Sequence, residues 1–340
     1  MTAGGGVAAG MFPESVGFIG LGVMGQPMAG HLLRAAAPAN AKVHVFTRSP
    51  ARAEDLIAAG AVWQPSAKMV AKACDVVVVM VPDLPDVADV VTGSDGIVAG
   101  ARKRTVVVVG STVSPEGIRE LAASASRASG GAVKLIDAPV SGGEEGALEG
   151  TLAIMVGGAD EDVTDAWAVL QAMGTPGHVG PTGAGQVAKA CNQIVVAATL
   201  VALGEAAALA ERSGLDVDGV FELLQNGLAG SRVLETKRHR IVAKDYSPPS
   251  GRVRFLAKDL GFAMTEAERT GTVTPHLQAL YSMFGQLVSQ GYGDMDTSVL
   301  RAFVEARGHE SHADGPPPEA VTSADQGADL GASGDGQAAR

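Results

Sequence analysis

A chain of 340 residues that is 46% hydrophobic and 19% charged is large and apolar enough for two domains with separate cores. Its net charge of −11 excludes bulk electrostatic attraction to nucleic acid or an anionic membrane, but leaves room for a small anionic substrate in a local positive pocket. Cys74 and Cys191 have no metal-ligand spacing and form no disulfide framework, so no metal site is assigned; with no secretory leader pattern at the N-terminus, a reducing cytoplasm is the expected setting.

Residues 1–14 are rich in Gly and Ala, and residues 309–340 in Asp, Gly, Ala, Ser and Pro; with little to bury, both are expected to be disordered tails. Residues 15–180 alternate strand and helix signals. Strands are expected at 16–20, 42–47, 75–81, 105–109 and 133–137, and helices at 24–36, 51–59, 66–73 and 115–126. Runs such as Val76-Val-Val-Val-Met80 and Val106-Val-Val-Val109 suit a sheet covered on both faces, and the alternation suits a parallel, doubly wound one. Over 181–308 helical patterns take over, at 185–213, 217–226, 234–243, 256–270 and 274–290, giving an all-α domain. The longest apolar run, 194–203, is about half a membrane span and reads as a core helix.

Val16-Gly-Phe-Ile-Gly20-Leu21-Gly22-Val23-Met24-Gly25 places G-x-G-x-x-G between the first strand and the first helix. Alone the motif is compatible with a simple tight turn. In this βαβ context it predicts a Rossmann-type dinucleotide site, with the pyrophosphate at the helix N-terminus. After the second strand stands Thr47-Arg48-Ser49, with Arg52 a turn later and no carboxylate for a ribose 2′-hydroxyl. That favours NADP over NAD, the competing reading being a solvated arginine at a site that takes either. Asp137-Ala-Pro-Val-Ser141-Gly142-Gly143 leaves the last expected parallel strand as a loop able to offer amides and a hydroxyl to a carboxylate, or to be a plain turn.

In Gly183-Ala-Gly-Gln-Val-Ala-Lys189-Ala-Cys-Asn192 a lysine is set into an apolar helical segment, with Asn192 and Gln193 on its face at i+3 and i+4. A buried ammonium is costly unless it is paired or used, whereas a surface lysine snorkels. Cys191, about 200° round from Lys189, is expected to be a structural core thiol. Lys258, in Lys258-Asp-Leu260, reads by itself as a surface lysine that could reach the cleft.

Together these motifs, with Gly150-Thr-Leu152, resemble the β-hydroxyacid dehydrogenase family of 3-hydroxyisobutyrate dehydrogenase-like enzymes over residues 16–303. Asn226-Gly-Leu-Ala-Gly-Ser231 and Val233-Leu-Glu235 are most similar to 2-hydroxy-3-oxopropionate (tartronate semialdehyde) reductases. The resemblance implies Lys189 as general acid/base, Asn192 on the reacting oxygen, Ser141, Gly142 and Gly143 on the substrate carboxylate, and Val81, Pro82, Thr112 and Lys258 along the dinucleotide. It also implies a homo-oligomer, a dimer or tetramer built on the helical domain. His31, Val109-Gly110, Gly251 and Thr297 depart from the family pattern. Imine reductases share the fold but typically carry Asp or Tyr at the lysine position, decarboxylating 6-phosphogluconate enzymes need a longer helical domain, and a catalytically silent dinucleotide-binding module would have lost the lysine.

Overall fold

The computed structural model describes residues 11–313, with side chains to Arg307. The tails expected at 1–14 and 309–340 therefore lie outside the described residues, apart from 11–14 and 309–313. The first half runs β1 (Ser15–Ile19), α1 (Gly25–Ala36), β2 (Lys42–Phe46), α2 (Glu54–Ala58), β3 (Val62–Trp63), α3 (Ala67–Ala73), β4 (Val76–Val79), α4 (Leu84–Thr92), α5 (Ile97–Gly100), β5 (Thr105–Val109), α6 (Pro115–Ala128) and β6 (Val133–Asp137). It continues through β7 (Val140–Ser141), α7 (Gly143–Glu149), β8 (Leu152–Gly157), α8 (Asp160–Gln171) and β9 (Gly174–Gly180). The second half is helical: α9 (Ala184–Arg212), α10 (Val217–Gln225), α11 (Arg232–Ala243), α12 (Val253–Thr270), α13 (Pro275–Ser289) and α14 (Leu300–Ala313).

The sheet order is β3-β2-β1-β4-β5-β6-β8-β7, with β9 beside β8. β1 to β6 pair in parallel, as the valine runs require. The sheet is not parallel throughout, however: β8 runs antiparallel to β6 and β7, and β9 is parallel to β8. Successive strand residues face opposite sides, so Val76 and Val78 enter one apolar cluster with α1 and α8, while Val77 and Val79 enter another with α3, α4 and α6. Both faces are covered, hence every residue of β4 and β5 is buried.

Several helices start on a side-chain cap, typically worth ~1 kcal/mol. Ser66 Oγ accepts the Met69 amide at 3.3 Å, and Ser231 Oγ accepts that of Leu234 at 3.1 Å. α9 is the axis of the helical half. Ala197, Leu200 and Val201 pack with α12, α13 and α14, and Leu203, Ala207 and Ala210 with α10 and α11. α9 is long and apolar enough by composition to cross a membrane, and the buried face of that same stretch packs in the helical core. The core expectation for 194–203 holds for one face only, because Val195 is 66% exposed. Cys191 is likewise exposed, correcting its reading as a core thiol: it shares the outward side of α9 with Val195, and the buried cysteine is Cys74. The chain order reverses between β1 and β4, and a crevice opens beyond the carboxyl ends of those strands.

Candidate active site

The glycine turn sits at that reversal. Gly20 has φ of +98°, and a Cβ there would lie 2.2 Å from the Met80 carbonyl oxygen. A Cβ on Gly25 would lie 1.9 Å from the Gly20 oxygen, so α1 begins in direct contact with the turn. Gly22 differs: nothing stands within 4 Å of its missing Cβ, which leaves backbone open to the cleft. An exposed main-chain turn leading into a helix is the cradle a pyrophosphate requires.

The cleft holds about 840 Å3. Its lining includes Gly20, Leu21, Gly22, Val23, Met24, Gly25, Thr47, Arg48, Ser49, Arg52, Val81, Pro82, Thr112 and Lys258, so every residue expected along the dinucleotide is brought together. Ser111 ties two of its walls, donating from Oγ to the Val81 carbonyl (2.6 Å) while accepting the Val81 amide (3.0 Å). Lys258 is not a free surface lysine. Its Nζ donates to Asp83 Oδ1 at 2.7 Å and to the Thr112 carbonyl at 3.2 Å, joining α12 to loops of the sheet. Arg48 pairs with Asp86 of α4 at 3.5 Å.

The start of α9 is fastened to the sheet by Asp137, fully buried at the end of β6. Its carboxylate accepts the Gly183 amide at 2.6 Å and the Gln186 amide at 2.8 Å. Burial pushes the Asp137 carboxyl up to about 6 against those amides, which favour the charged form. The Gln186 side chain completes the joint, accepting the Val113 amide at 3.0 Å and donating to the Ser111 carbonyl at 2.9 Å. Lys189 follows one turn later and is only 7% exposed.

Burial lowers the proton affinity of Lys189, and the nearby Asp259 charge partly restores it. Asp259, itself buried, has its carboxyl raised by burial and held down chiefly by Lys189. It lines the cleft beside Lys258 and accepts from Gln193 Nε2 at 2.7 Å. Gln193 Oε1 in turn accepts from Asn192 Nδ2 at 2.9 Å, and Asn192 Oδ1 accepts from Ser141 Oγ at 3.5 Å. Ser141, Gly142, Gly143, Lys189 and Asn192 stand beyond the cleft lining; Ser141 and Asn192 join it through Gln193 and Asp259, and Lys189 feels the Asp259 charge. Gly142 and Gly143 take φ of +142° and +64°, turning the chain between β7 and α7.

Asp137, Gln186 and Asp259 are the polar groups that motif reading did not assign. Asp259 stands inside the quoted Lys258-Asp-Leu260 and Asp137 opens the loop motif, so both were in view without a partner to give them a task.

Residues 15–226 match the family model described as the NAD binding domain of 6-phosphogluconate dehydrogenase, and residues 183–303 match that described as NAD-binding of NADP-dependent 3-hydroxyisobutyrate dehydrogenase. The chain is 35% identical to the 2-hydroxy-3-oxopropionate reductase of Escherichia coli, covering 84% of this chain and 95% of that protein. It is 36% identical to the NAD-dependent L-serine dehydrogenase of Pseudomonas aeruginosa, over 85% of this chain and 97% of the other. Among solved structures, that of Mycobacterium tuberculosis 3-hydroxyisobutyrate dehydrogenase with L-serine is similar at a TM-score of 0.74 and 30% identity, covering 86% of this chain and 99% of that one. With its glycine cradle, its buried lysine on α9 and this match along both halves, the chain belongs to the β-hydroxyacid dehydrogenases, NAD(P)-dependent oxidoreductases of the 3-hydroxyisobutyrate dehydrogenase type.

Proposed function

We propose that the enzyme interconverts a short 3-hydroxy acid and its semialdehyde, with 2-hydroxy-3-oxopropionate as the carbonyl substrate and NADP as the preferred dinucleotide. The observation that carries this is Lys189, buried one turn into α9 and under the charge of Asp259, a residue of the cleft lining that the Gln193–Asn192 chain joins to Ser141. A dinucleotide held by the residues of the cleft would supply or take up the hydride at the substrate carbon. In the reductive direction Lys189 gives its proton to the oxygen that becomes negative, and in the oxidative direction it withdraws it. Its depressed proton affinity suits that exchange nearer neutrality than an ordinary lysine allows. Asn192 holds the same oxygen, while Ser141, Gly142 and Gly143 receive the carboxylate and fix which carbon faces the cleft. Positioned proton transfer is worth ~10²–10⁴-fold, and stabilisation of the oxyanion adds to it.

Arg48, Ser49 and Arg52 support NADP, since they face the cleft where a 2′-phosphate would sit and β2 ends without a carboxylate. A homo-oligomer built on the helical half and a cytoplasmic setting complete the reading; exposed Val195 and Leu209 on α9 favour the first, and light scattering on the purified protein tests it.

The substrate is tested by ranking kcat/KM for the semialdehydes of tartronate, methylmalonate and succinate, and for glyoxylate, with NADPH and NADH. L-serine and 3-hydroxyisobutyrate are run in the oxidative direction, because two similar proteins are named for, or hold, L-serine. First rank for 2-hydroxy-3-oxopropionate with NADPH supports the proposal. Leading turnover of methylmalonate semialdehyde replaces it with a 3-hydroxyisobutyrate dehydrogenase, and leading turnover of glyoxylate or succinate semialdehyde with a reductase of those. No turnover of any compound leaves a silent dinucleotide-binding module.

A further inference from the structure

The wall of the cleft opposite Arg48 is acidic. Asp86 and Asp89 project from α4 into the same lining that carries Arg48, Ser49 and Arg52. The Arg48 side chain is 81% exposed, and its guanidinium meets Asp86 Oδ1 at 3.5 Å, whereas Asp86 is 32% exposed. An arginine that must grip a 2′-phosphate is therefore already engaged by a carboxylate. NADPH would have to exchange that ion pair for one with its own phosphate, which also approaches the Asp86 charge. NADH has no such group and leaves the pair in place.

We infer that Asp86 is a specificity determinant that opposes Arg48 and narrows the enzyme's preference for NADPH over NADH. The inference rests on the proposed assignment of Arg48 to the 2′-phosphate. The selectivity then resides in the Arg48–Asp86 pair. Pairs this exposed are typically worth up to about fivefold in an equilibrium constant, and the effect is screened by salt.

The test is direct binding of NADPH and NADH, followed by nicotinamide fluorescence, to the wild-type protein and to Asp86→Asn, Arg48→Ala and the double variant. Asp86→Asn is expected to tighten NADPH by about three- to fivefold at low salt, to leave NADH within about twofold, and to lose that selectivity in 0.5 M salt. In the Arg48→Ala background the same substitution is expected to tighten NADPH by less than in the wild type, because the ion pair is gone and only the direct repulsion between Asp86 and the phosphate is left to remove. Equal tightening of both dinucleotides, no change, or weaker NADPH binding by Asp86→Asn overturns the inference while leaving the Arg48 assignment in place. NADPH binding unaffected by Arg48→Ala overturns that assignment and the inference with it.

Discussion

Gln193 and Asp259 meet at 2.7 Å across α9 and α12, one turn beyond Lys189. That bond holds a carboxylate near a buried ammonium without giving it to the lysine outright, so Asp259 can tune the proton affinity of Lys189 while Gln193 fixes where it stands. Replacing Lys189 with Ala is expected to lower kcat by about 10²–10⁴-fold with dinucleotide Kd unchanged. Retained kcat would remove Lys189 from the chemistry.

The pH dependence follows from the same pair. With Lys189 in its proposed role as base in the oxidative direction, kcat/KM is expected to rise with pH through the Lys189 pKa, which burial places below the ordinary lysine value. Asp259→Asn removes the charge that favours the ammonium, so the rise moves to lower pH. A profile that stays in place in Asp259→Asn, or moves to higher pH, contradicts the coupling.

Gly22 and Gly25 separate binding from folding. Gly25→Ala forces a Cβ onto the Gly20 carbonyl oxygen and is expected to cost more than about 2 kcal/mol in denaturant unfolding. Gly22→Ala meets nothing in the protein and should stay within about 0.5 kcal/mol of wild type, yet its methyl group would enter the space proposed for the pyrophosphate. A tenfold or greater loss of dinucleotide affinity in a fully stable Gly22→Ala protein is the expected signature.

Lys258 bridges α12 to Asp83 and to the Thr112 carbonyl over the cleft. As a half-exposed ion pair it adds little to stability, less than about 1 kcal/mol. Lys258→Met should raise the Kd of both NADH and NADPH by about two- to fivefold, with a melting temperature within a few degrees of wild type. An unchanged Kd would make the bridge ornamental.

Asp137 gives a prediction about stability. Its folded pKa of about 6 lies above the usual carboxylate value, so the folded protein binds this proton more tightly than the unfolded chain. The stability linked to that proton is present below the unfolded pKa and is lost as pH rises toward 6, a change of about 3 kcal/mol at ~1.36 kcal/mol per unit. The stability of wild type relative to Asp137→Asn should therefore fall between pH 4 and pH 7 and stay level above it. Denaturant midpoints of the two proteins at both pH values decide it.

What the chain reveals before folding depends on how far apart the interacting residues are. The valine runs, the glycine turn and the lysine in its apolar helix are local patterns, and each took the place its pattern implies. β9, Gly174-Thr-Pro-Gly-His-Val-Gly180, has no strand-like alternation; it is a strand because β8 lies beside it. α4 and α8 were hidden among acidic residues, and α14 passes the expected boundary at 308. Asp137 and Asp259 gain their roles from partners 46 and 66 residues away, a separation that spacing rules do not reach. His31 shows the converse: it departs from the family pattern, yet packs against Gly150 and meets the Leu148 carbonyl at 3.0 Å, so the substitution is absorbed locally.

The unbroken run of α9 has a mechanical consequence. Residues 184–212 are fastened to the sheet at one end by Asp137, and further along they form the axis on which the other helices assemble. The two halves share a spine where a hinge would need a few residues free to change φ and ψ. At the cleft the side-chain ties are Lys258 with Asp83 and Arg48 with Asp86. Lys189, the proposed proton donor, is seated on the same helix that Asp137 fastens to the sheet.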